Sequence, residues 1–197
     1  MDADQTAVTP PTSPASYPVA IAIRPAVPED ADAIACIFLE SAEHHARLDP
    51  ERYRVPAVDS IAERYRAGRQ HPLSGSGDVV TLVAELRSEI VGFIDARLDQ
   101  SADAMHREII YCHIDELAVT HRHRNQGIGR RLLRAVEEWG RRQGAEFAAL
   151  EYHTANTGAM LFYREQMGYR PASTTVIRNL RGGGVFPPPD GGAGGGA

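Results

Sequence analysis

Hydrophobic and polar residues alternate at strand-like and helix-like spacings from about residue 20 to residue 181. The Val- and Ile-rich runs "VVTLVAEL" and "IVGFIDARL" flank the polar triplet "RSE", so together they predict a β-hairpin. The run "EIIYCHIDELAV" predicts a third long strand. The other predicted strands are "YPVAIAIRPA", "EFAALEYH", "GYRPAS" and "TTVIRNL".

Four segments have the periodicity of an amphipathic helix. The first is "PEDADAIACIFLESAEHHARL". Ile34 and Ile37 form an apolar stripe on one face of this helix, and the polar residues Ser41 and His45 follow on the same face. The second, "SIAERYRAG", is short and closes at a glycine. The third runs from "RNQGIG" to about Arg142, and the fourth is "NTGAMLFYREQM".

The order of these elements predicts the fold class. The succession β-α-α-β-β-β-α-β-α-β-β indicates an α/β (α+β) fold, with one mixed, mostly antiparallel sheet of about six to seven strands and about four helices on its two faces. Residues 1–19 are rich in Pro, Thr, Ala and Ser, and residues 182–197 in Gly and Pro, so both are predicted to be disordered tails. We therefore expect one domain over residues 20–181.

The composition narrows the classes of function. A net charge of −5 argues against a dedicated nucleic-acid binder, because neutralising phosphates needs a cationic surface. No apolar run approaches the roughly 20 residues that cross a bilayer, and the N-terminus lacks the features of a signal peptide. Cys36 and Cys112 are too few for a disulfide framework and too isolated for a zinc site. We expect a cytoplasmic protein without metal, membrane or nucleic-acid partners.

The stretch "RNQGIGRRLL" places two glycines at the start of the third helix. The first N–H groups of a helix have no intrahelical partner, so this end of a helix binds anions. Gly127 and Gly129 permit close approach or positive φ, and Arg124 and Arg130 add positive charge. A P-loop would need a lysine, and all 21 basic residues are arginine. A dinucleotide fingerprint would need a third glycine where Leu132 stands.

A third pattern for this turn, Arg-x-x-Gly-x-Gly, fits its surroundings. The preceding strand ends in "DELAV", five residues before the arginine. Downstream follow Asn156, Ala159, Phe162, Tyr163, Gly168 and Tyr169. With the opening "IRPAVPEDADAI", this arrangement resembles the GNAT superfamily of acetyl-CoA-dependent N-acetyltransferases over about residues 21–180.

The resemblance implies that the bound anion is the pyrophosphate of coenzyme A and that acetyl-CoA is the co-substrate. Main-chain amides from about Gln126 to Arg130 would hold it, and the backbone at Leu117 and Val119 would pair with the pantetheine arm. A β-bulge would splay this strand from its neighbour and open a slot for the cofactor. The residues assigned to the cofactor are Leu117, Ala118, Val119, Arg124, Asn125, Gln126, Gly127, Ile128, Gly129, Arg130, Asn156 and Tyr163.

Acetyl transfer from a thioester to an amine also needs proton transfer. The amine must lose a proton, and the leaving thiolate, whose parent thiol has a pKa of about 8.5, benefits from a donor. By resemblance the donor is Tyr163, seven residues after Asn156. Relatives usually place a glycine four residues after this tyrosine, but Gly168 follows by five, so we expect a rotated helix end or a π-bulge.

Three residues compete for the role of base. His113, Asp115 and Glu116 all lie on the strand leading to Val119. Alternation places His113 and Asp115 on one face and Glu116 on the other, unless a bulge intervenes. Glu116 is favoured, acting directly or through water, with the other two as rivals.

The acceptor pocket of the family is expected at His44, His45 and the loop "LDPERYRVP". In this loop Arg52, Tyr53 and Arg54 suit an acidic acceptor, or else form a solvated loop. The leading hypothesis is direct transfer of acetyl to a small-molecule or peptide amine in a ternary complex. Because many members of the family form homodimers, the resemblance also implies a homodimer. The alternatives are a non-catalytic acyl-CoA-binding module and a transferase that uses another acyl group or an alcohol.

Overall fold

The computed structural model describes residues 20–67, 79–101 and 107–177. The chain divides into two compact units, Met1–Thr157 and Gly158–Ala197. Its helices and strands are β1 (Ala22–Pro25), α1 (Ala31–Leu48), α2 (Val58–Arg66), β2 (Val79–Leu86), β3 (Glu89–Ser101), β4 (Ile109–Val119), α3 (Ile128–Arg142), β5 (Phe147–Leu150) and α4 (Thr157–Leu161). Both predicted tails lie outside the described residues, and a single domain over 20–181 stays a prediction.

The strands form one sheet in the order β1-β2-β3-β4-β5. Neighbours pair antiparallel except β4 and β5, which are parallel. The α/β class and the mixed, mostly antiparallel sheet are therefore confirmed, but the described residues form five strands rather than about six to seven. The prediction of strands in "GYRPAS" and "TTVIRNL" is wrong for residues 168–177, which are irregular, while 178–180 lie outside the described part.

The missing strands have a physical reason. Val176 and Ile177, which gave the last run its strand-like appearance, are 88% and 59% exposed. A β-branched residue favours a strand because it fits a pleated, half-buried surface, and an exposed one gains nothing of that kind. Local composition alone therefore overestimated the sheet.

Helices cover both faces of the sheet, as predicted. Consecutive strand residues point to opposite faces. Phe93 of β3 belongs to the core formed with α1 and α2 and lies edge-on to the Tyr65 ring at 5.8 Å. A Cβ built on the preceding residue, Gly92, would lie 3.3 Å from the Leu132 side chain of α3. Hence α1 and α2 cover one face and α3 covers the other.

Helix α3 packs closely on β4 at Gly140. A Cβ built there would lie 2.6 Å from Cβ of Cys112 and 2.8 Å from its Sγ, so a side chain larger than hydrogen does not fit. Burial raises the pKa of the Cys112 thiol to about 11, and the thiol donates weakly to the carbonyl of Val136 at 3.7 Å. Cys112 is thus a neutral core residue that ties α3 to the strand leading into the site.

An ion pair joins the end of β1 to the turn before α1. The Arg24 guanidinium donates to both carboxylate oxygens of Asp30, at 2.6 and 2.9 Å, and to Glu85 at 2.7 Å. Asp30 also accepts the Val27 N–H at 2.9 Å and is only 6% exposed. The hydrogen bonds from Arg24 hold the pKa of Asp30 below its ordinary value of 3.8. Arg24 and Asp30, which both belong to the stretch "IRPAVPED", therefore have a structural role: they connect β1 to the start of α1.

We expect Asp30→Asn to lower the free energy of unfolding by about 1–3 kcal/mol at pH 7, because it removes hydrogen bonds to a charged group. A carboxylate with a depressed pKa in the folded state contributes stability above its unfolded pKa and loses it as the pH falls through the folded value. The difference between wild type and variant, measured by urea unfolding, should therefore shrink below about pH 4. A difference that is constant down to pH 2 would contradict this account.

Candidate active site

The turn before α3 has the backbone expected of an anion site. Asn125 and Gly127 have positive φ, 61° and 78°, and positive-φ residues placed this way turn successive N–H groups toward a common concavity. The first intrahelical bond runs from the Arg131 N–H to the Gly127 carbonyl at 3.1 Å, so the preceding helical amides are not used by the helix. The N-cap residue, Gly127, makes no side-chain cap hydrogen bond. A helix N-terminus of this kind suits an anion.

Gly127 is needed for its conformation and not for space. No heavy atom lies within 4 Å of a Cβ built there, but its φ of +78° is strained for any other residue. The turn is also fixed from outside: Glu40 of α1 accepts the Thr120 hydroxyl at 2.8 Å and the His121 N–H at 2.7 Å. Arg124 donates through Nε to the Val119 carbonyl at 3.1 Å. Thus α1 and β4 both position the glycine turn.

Strand β4 contains the expected bulge. Asp95 pairs with Glu116 and Ala96 with Ile114, so Asp115 is the extra residue. On its other side, β4 pairs with β5 only from Tyr111 to Ile114. Among the described residues, the stretch from Asp115 to Val119 has no strand on that side. A backbone edge is thus open beside the glycine turn.

The bulge changes which base candidates share a face. His113 lies opposite Arg97, and Glu116 lies opposite Asp95. Arg97 and Asp95 are two residues apart on a regular strand, so their partners share a face. Asp115 forms an ion pair with Arg97 and lies 3.2 Å from His113 Nδ1. The exception to strict alternation therefore applies: the extra residue shifts the alternation by one, and Glu116 shares a face with His113.

The three candidates differ in their partners. The carboxylate of Asp115 is held by the guanidinium of Arg97. His113 contacts that carboxylate through Nδ1. Glu116 instead accepts a hydrogen bond of 2.8 Å from the hydroxyl of Ser41 on α1. Glu116 is the candidate that faces the helix carrying the expected acceptor pocket.

The residue opposite Glu116 is immobilised by the core. Asp95 is 1% exposed, and its carboxylate accepts the Tyr65 hydroxyl at 2.6 Å and the Thr81 hydroxyl at 2.7 Å. Both donors come from elements other than β4. The strand that faces the bulge is therefore fixed by side chains from α2 and β2.

A row of aromatic rings follows Ser41 along the same region. His45 lies 5.3 Å from Tyr53, ring centre to ring centre, and Tyr53 lies 6.1 Å from His153. His153 Nε2 is 3.4 Å from a carboxylate oxygen of Asp49. The Ala155 N–H donates to His153 Nδ1 at 3.2 Å, so in the neutral ring the proton is on Nε2, toward Asp49.

The loop after α1 folds back onto that helix. The Tyr53 N–H donates to the Asp49 carbonyl at 3.0 Å, which returns the tyrosine ring to His45. Arg52 lies 5.5 Å over the Tyr53 ring and 3.8 Å from Asp49. Arg54 is exposed. The predicted pocket residues His45 and Tyr53 therefore lie together. Arg52, also predicted for the pocket, instead pairs with Asp49 and neutralises part of its charge.

His44 brings α1 next to two residues assigned to the cofactor. Burial lowers the pKa of His44, and the positive charges of His45, Arg124 and Arg47 lower it further, while a hydrogen bond with the Asn156 side chain acts in the opposite direction. A neutral imidazole is therefore favoured beside Arg124 and Asn156. Helix α4 begins at the next residue, so Asn156 also lies at the position of a helix N-cap.

The second unit contains Tyr163. Helix α4 continues into a π-helical turn over Phe162–Gln166, in which the Met167 N–H donates to the Phe162 carbonyl at 3.1 Å. Gly168 follows with φ of +77°. Of the two outcomes expected for the extra residue before Gly168, a rotated helix end or a π-bulge, the structure contains the π-helical turn. The Tyr163 ring lies edge-on to Phe162 at 5.1 Å and to Tyr169 at 5.9 Å.

Sequence reasoning missed His153, gave Ser41 no role, and included Asp49 in the expected acceptor loop without assigning it a function. Ser41 and His45 did carry a signal, since two polar residues one turn apart interrupted an apolar stripe. His153 had none, because only the folded chain brings it to Asp49. In the part of the chain that is described, no group of three or more His, Cys, Asp or Glu side chains is placed to hold a metal ion, and no helix has the length and apolarity to span a bilayer.

Comparison with known proteins identifies the family. The model of the Acetyltransferase (GNAT) family matches residues 39–169, about two thirds of the chain. The chain belongs to the GNAT acetyltransferase family. No curated protein matches the sequence.

Solved structures share the fold at low identity. A mutant of the BH1408 protein from Bacillus halodurans superposes with a TM-score of 0.72 at 22% identity, over 81% of this chain and 99% of that one. The aminoglycoside N-acetyltransferase AAC(6')-Iy in complex with CoA gives 0.61 at 15%, over 84% and 98%. The aminoglycoside acetyltransferase meta-AAC0020, from an uncultured soil metagenomic sample, gives 0.55 at 19%, over 82% and 97%. The likeness covers nearly the full length of each.

Proposed function

We propose that the protein is an N-acetyltransferase that moves the acetyl group of acetyl-CoA directly to a primary amine in a ternary complex. The observation that carries the proposal is the positive-φ turn from Asn125 to Gly127, which begins α3 beside the end of β4 that β5 does not pair with in the described structure. An amide-lined concavity at a helix N-terminus suits a pyrophosphate, and Arg124 and Arg130 add charge. Family membership and the CoA complex of AAC(6')-Iy support the same cofactor.

The open edge of β4 suits the pantetheine arm. Backbone groups at Leu117 and Val119 can pair with its amides as an added strand would. The Val119 carbonyl accepts from Arg124 in the free protein, so Arg124 must release it for that pairing. The other residues of this stretch and of the turn, Ala118, Gln126, Ile128 and Gly129, would contribute main-chain contacts.

Glu116 is the proposed base. An ammonium has no lone pair, so Glu116 would accept its proton directly or through water, and the amine would then attack the thioester carbon. A bond forms between nitrogen and the acetyl carbon, the bond to sulfur breaks with its electron pair, and the thiolate takes a proton from the proposed donor, Tyr163. Asp115 and His113 are less suited because Arg97 and Asp115, respectively, hold them.

The proposed acceptor is a small-molecule or peptide amine that meets His45, Tyr53 and His153. Aromatic rings attract cations, and the carboxylates of Glu116 and Asp49 lie at the two ends of this row of contacts. The aminoglycoside acetyltransferases among the structural neighbours are named for acceptors that carry amines. This arrangement favours a cationic acceptor over the acidic one suggested by Arg52 and Arg54.

The test is thiol release over a library of amines, run beside thermal unfolding with acetyl-CoA. The proposal expects free thiol to appear only when an accepted amine is present. Acetyl-CoA should stabilise the fold by about 2.7 kcal/mol at a hundredfold excess over Kd. If acetyl-CoA stabilises the fold but no amine causes thiol release, the rival hypothesis, a non-catalytic acyl-CoA-binding module, would be favoured. The π-helical turn at Tyr163 is the observation that supports this rival, because it alters the helix that carries the proposed proton donor.

Gly127→Ala tests the cofactor turn, and the chain offers a matched control. Gly144, at the other end of α3, also has positive φ, 88°, with no heavy atom within 4 Å of a built Cβ. Each substitution should cost about 1–2 kcal/mol of stability from left-handed strain. Only Gly127→Ala should weaken acetyl-CoA binding, by about tenfold in calorimetry. Equal affinity in both variants would contradict the assignment of this turn.

A further inference from the structure

Ser41 connects α1 to the proposed base. Its hydroxyl donates to the Glu116 carboxylate at 2.8 Å, across 75 positions of sequence. A hydroxyl can donate only one proton, and a carboxylate can only accept, so the direction of this bond is fixed. Ser41 therefore holds one oxygen of Glu116 in place.

His45, one helical turn later, reinforces that direction. Its Nδ1 lies 2.9 Å from the Ser41 carbonyl, which can only accept, so Nδ1 carries a proton. The same nitrogen is 3.5 Å from the Ser41 hydroxyl oxygen, at the limit of a hydrogen bond. Because His45 Nδ1 carries a proton, it does not accept the proton of the Ser41 hydroxyl, and that hydroxyl donates to Glu116 instead. The donors thus run from His45 through Ser41 to the carboxylate.

We propose that Ser41 is a positioning residue for catalysis, which aims and maintains the Glu116 carboxylate as a base, with His45 setting the direction of the Ser41 hydroxyl. The inference rests on the proposed function, because it concerns the same reaction. It adds a residue on α1 that holds the carboxylate of the proposed base. In this proposal Ser41 acts through Glu116.

Several other charged groups face Glu116, and a pH experiment has to account for them. On β3 these are Asp95, directly opposite, and Arg97, which pairs with Asp115. On β4 they are Asp115 and His113, and on α1 His45 lies beside Ser41. Substituting Ser41 leaves all of these charges unchanged. A change in pH dependence on its removal would therefore report the lost hydrogen bond.

The test is the pH profile of kcat for Ser41→Ala, with Ser41→Thr as the conservative variant. Loss of a donor to the charged form raises the pKa of a carboxylate. The acid limb of the profile should move to higher pH by about one unit, and kcat on the plateau should fall about tenfold. The KM for acetyl-CoA should not change. Ser41→Thr, which keeps the hydroxyl, should restore both the limb and the plateau.

Ser60→Ala is the matched control. The Ser60 hydroxyl donates to the Ala57 carbonyl at the start of α2, on an exposed surface. This variant should keep the wild-type profile. A Ser41→Ala enzyme with an unmoved acid limb, or a lower kcat that Ser41→Thr does not recover, would overturn the positioning role. An absence of thiol release by the wild type would instead overturn the proposed function, so the two failures are distinct.

Discussion

Replacing Glu116 with Gln is expected to lower kcat by about 10²-fold or more, the scale of general acid–base catalysis. Gln keeps the size of the side chain and an oxygen that can accept the Ser41 hydroxyl, but it carries no charge and does not accept the amine proton. Because the carboxylate is assigned to the amine and not to the cofactor, the affinity for acetyl-CoA should stay at its wild-type value. Steady-state thiol release and calorimetry measure the two quantities separately.

Rival variants decide which of the three candidates is the base. His113→Gln should reduce kcat less than Glu116→Gln. Asp115→Asn should act mainly on stability, because it removes the closer carboxylate partner of Arg97 and leaves only Asp99, at 3.8 Å, among the ion pairs described for that guanidinium. Glu138→Gln is the control for the loss of a surface carboxylate, since Glu138 pairs only with arginines of its own helix in the described structure. If His113→Gln removes activity and Glu116→Gln does not, the base is His113.

The parts of the fold that sequence predicts best are those fixed by local physics. The hairpin of β2 and β3 follows from Val- and Ile-rich runs around a short polar turn, and α3 follows from a stripe in which Ile128, Leu132 and Val136 are fully buried. The glycine turn is local too, since positive φ depends on a few consecutive residues. The extra residue before Gly168 was likewise visible as a count, and the chain absorbs it as a π-helical turn.

The parts of the site that depend on contacts between two distant elements could not be predicted from local sequence. A bulge is a property of a strand pair, so the sequence of β4 alone does not decide whether Glu116 shares a face with His113. The bond between Ser41 and Glu116 spans 75 positions and depends on how α1 crosses the sheet. His153 contacts Asp49 only because β5 ends beside the loop after α1. Long-range packing therefore decides the orientation of the candidate base and the shape of the acceptor region.

Tyr163→Phe is expected to lower kcat by about 10²-fold or more while leaving acetyl-CoA affinity unchanged. The phenol is the proposed proton donor to the leaving thiolate, and phenylalanine keeps the ring that packs edge-on to Phe162 and Tyr169. Tyr111→Phe is the matched control, because the Tyr111 ring stacks on Phe147 at 5.8 Å and has no assigned role in the reaction. Thiol release and calorimetry on both variants measure turnover and binding.

The π-helical turn makes this experiment a test of two assignments. In a regular helix each residue rotates by about 100°, so one additional residue redirects the side chains around it unless the turn widens to accommodate it. The π-turn over Phe162–Gln166 widens in this way, and we expect it to preserve the direction of the phenol. A Tyr163→Phe enzyme with wild-type kcat would show that the insertion has removed this tyrosine from the reaction. Proton transfer to the thiolate would then have to come from water or from another residue.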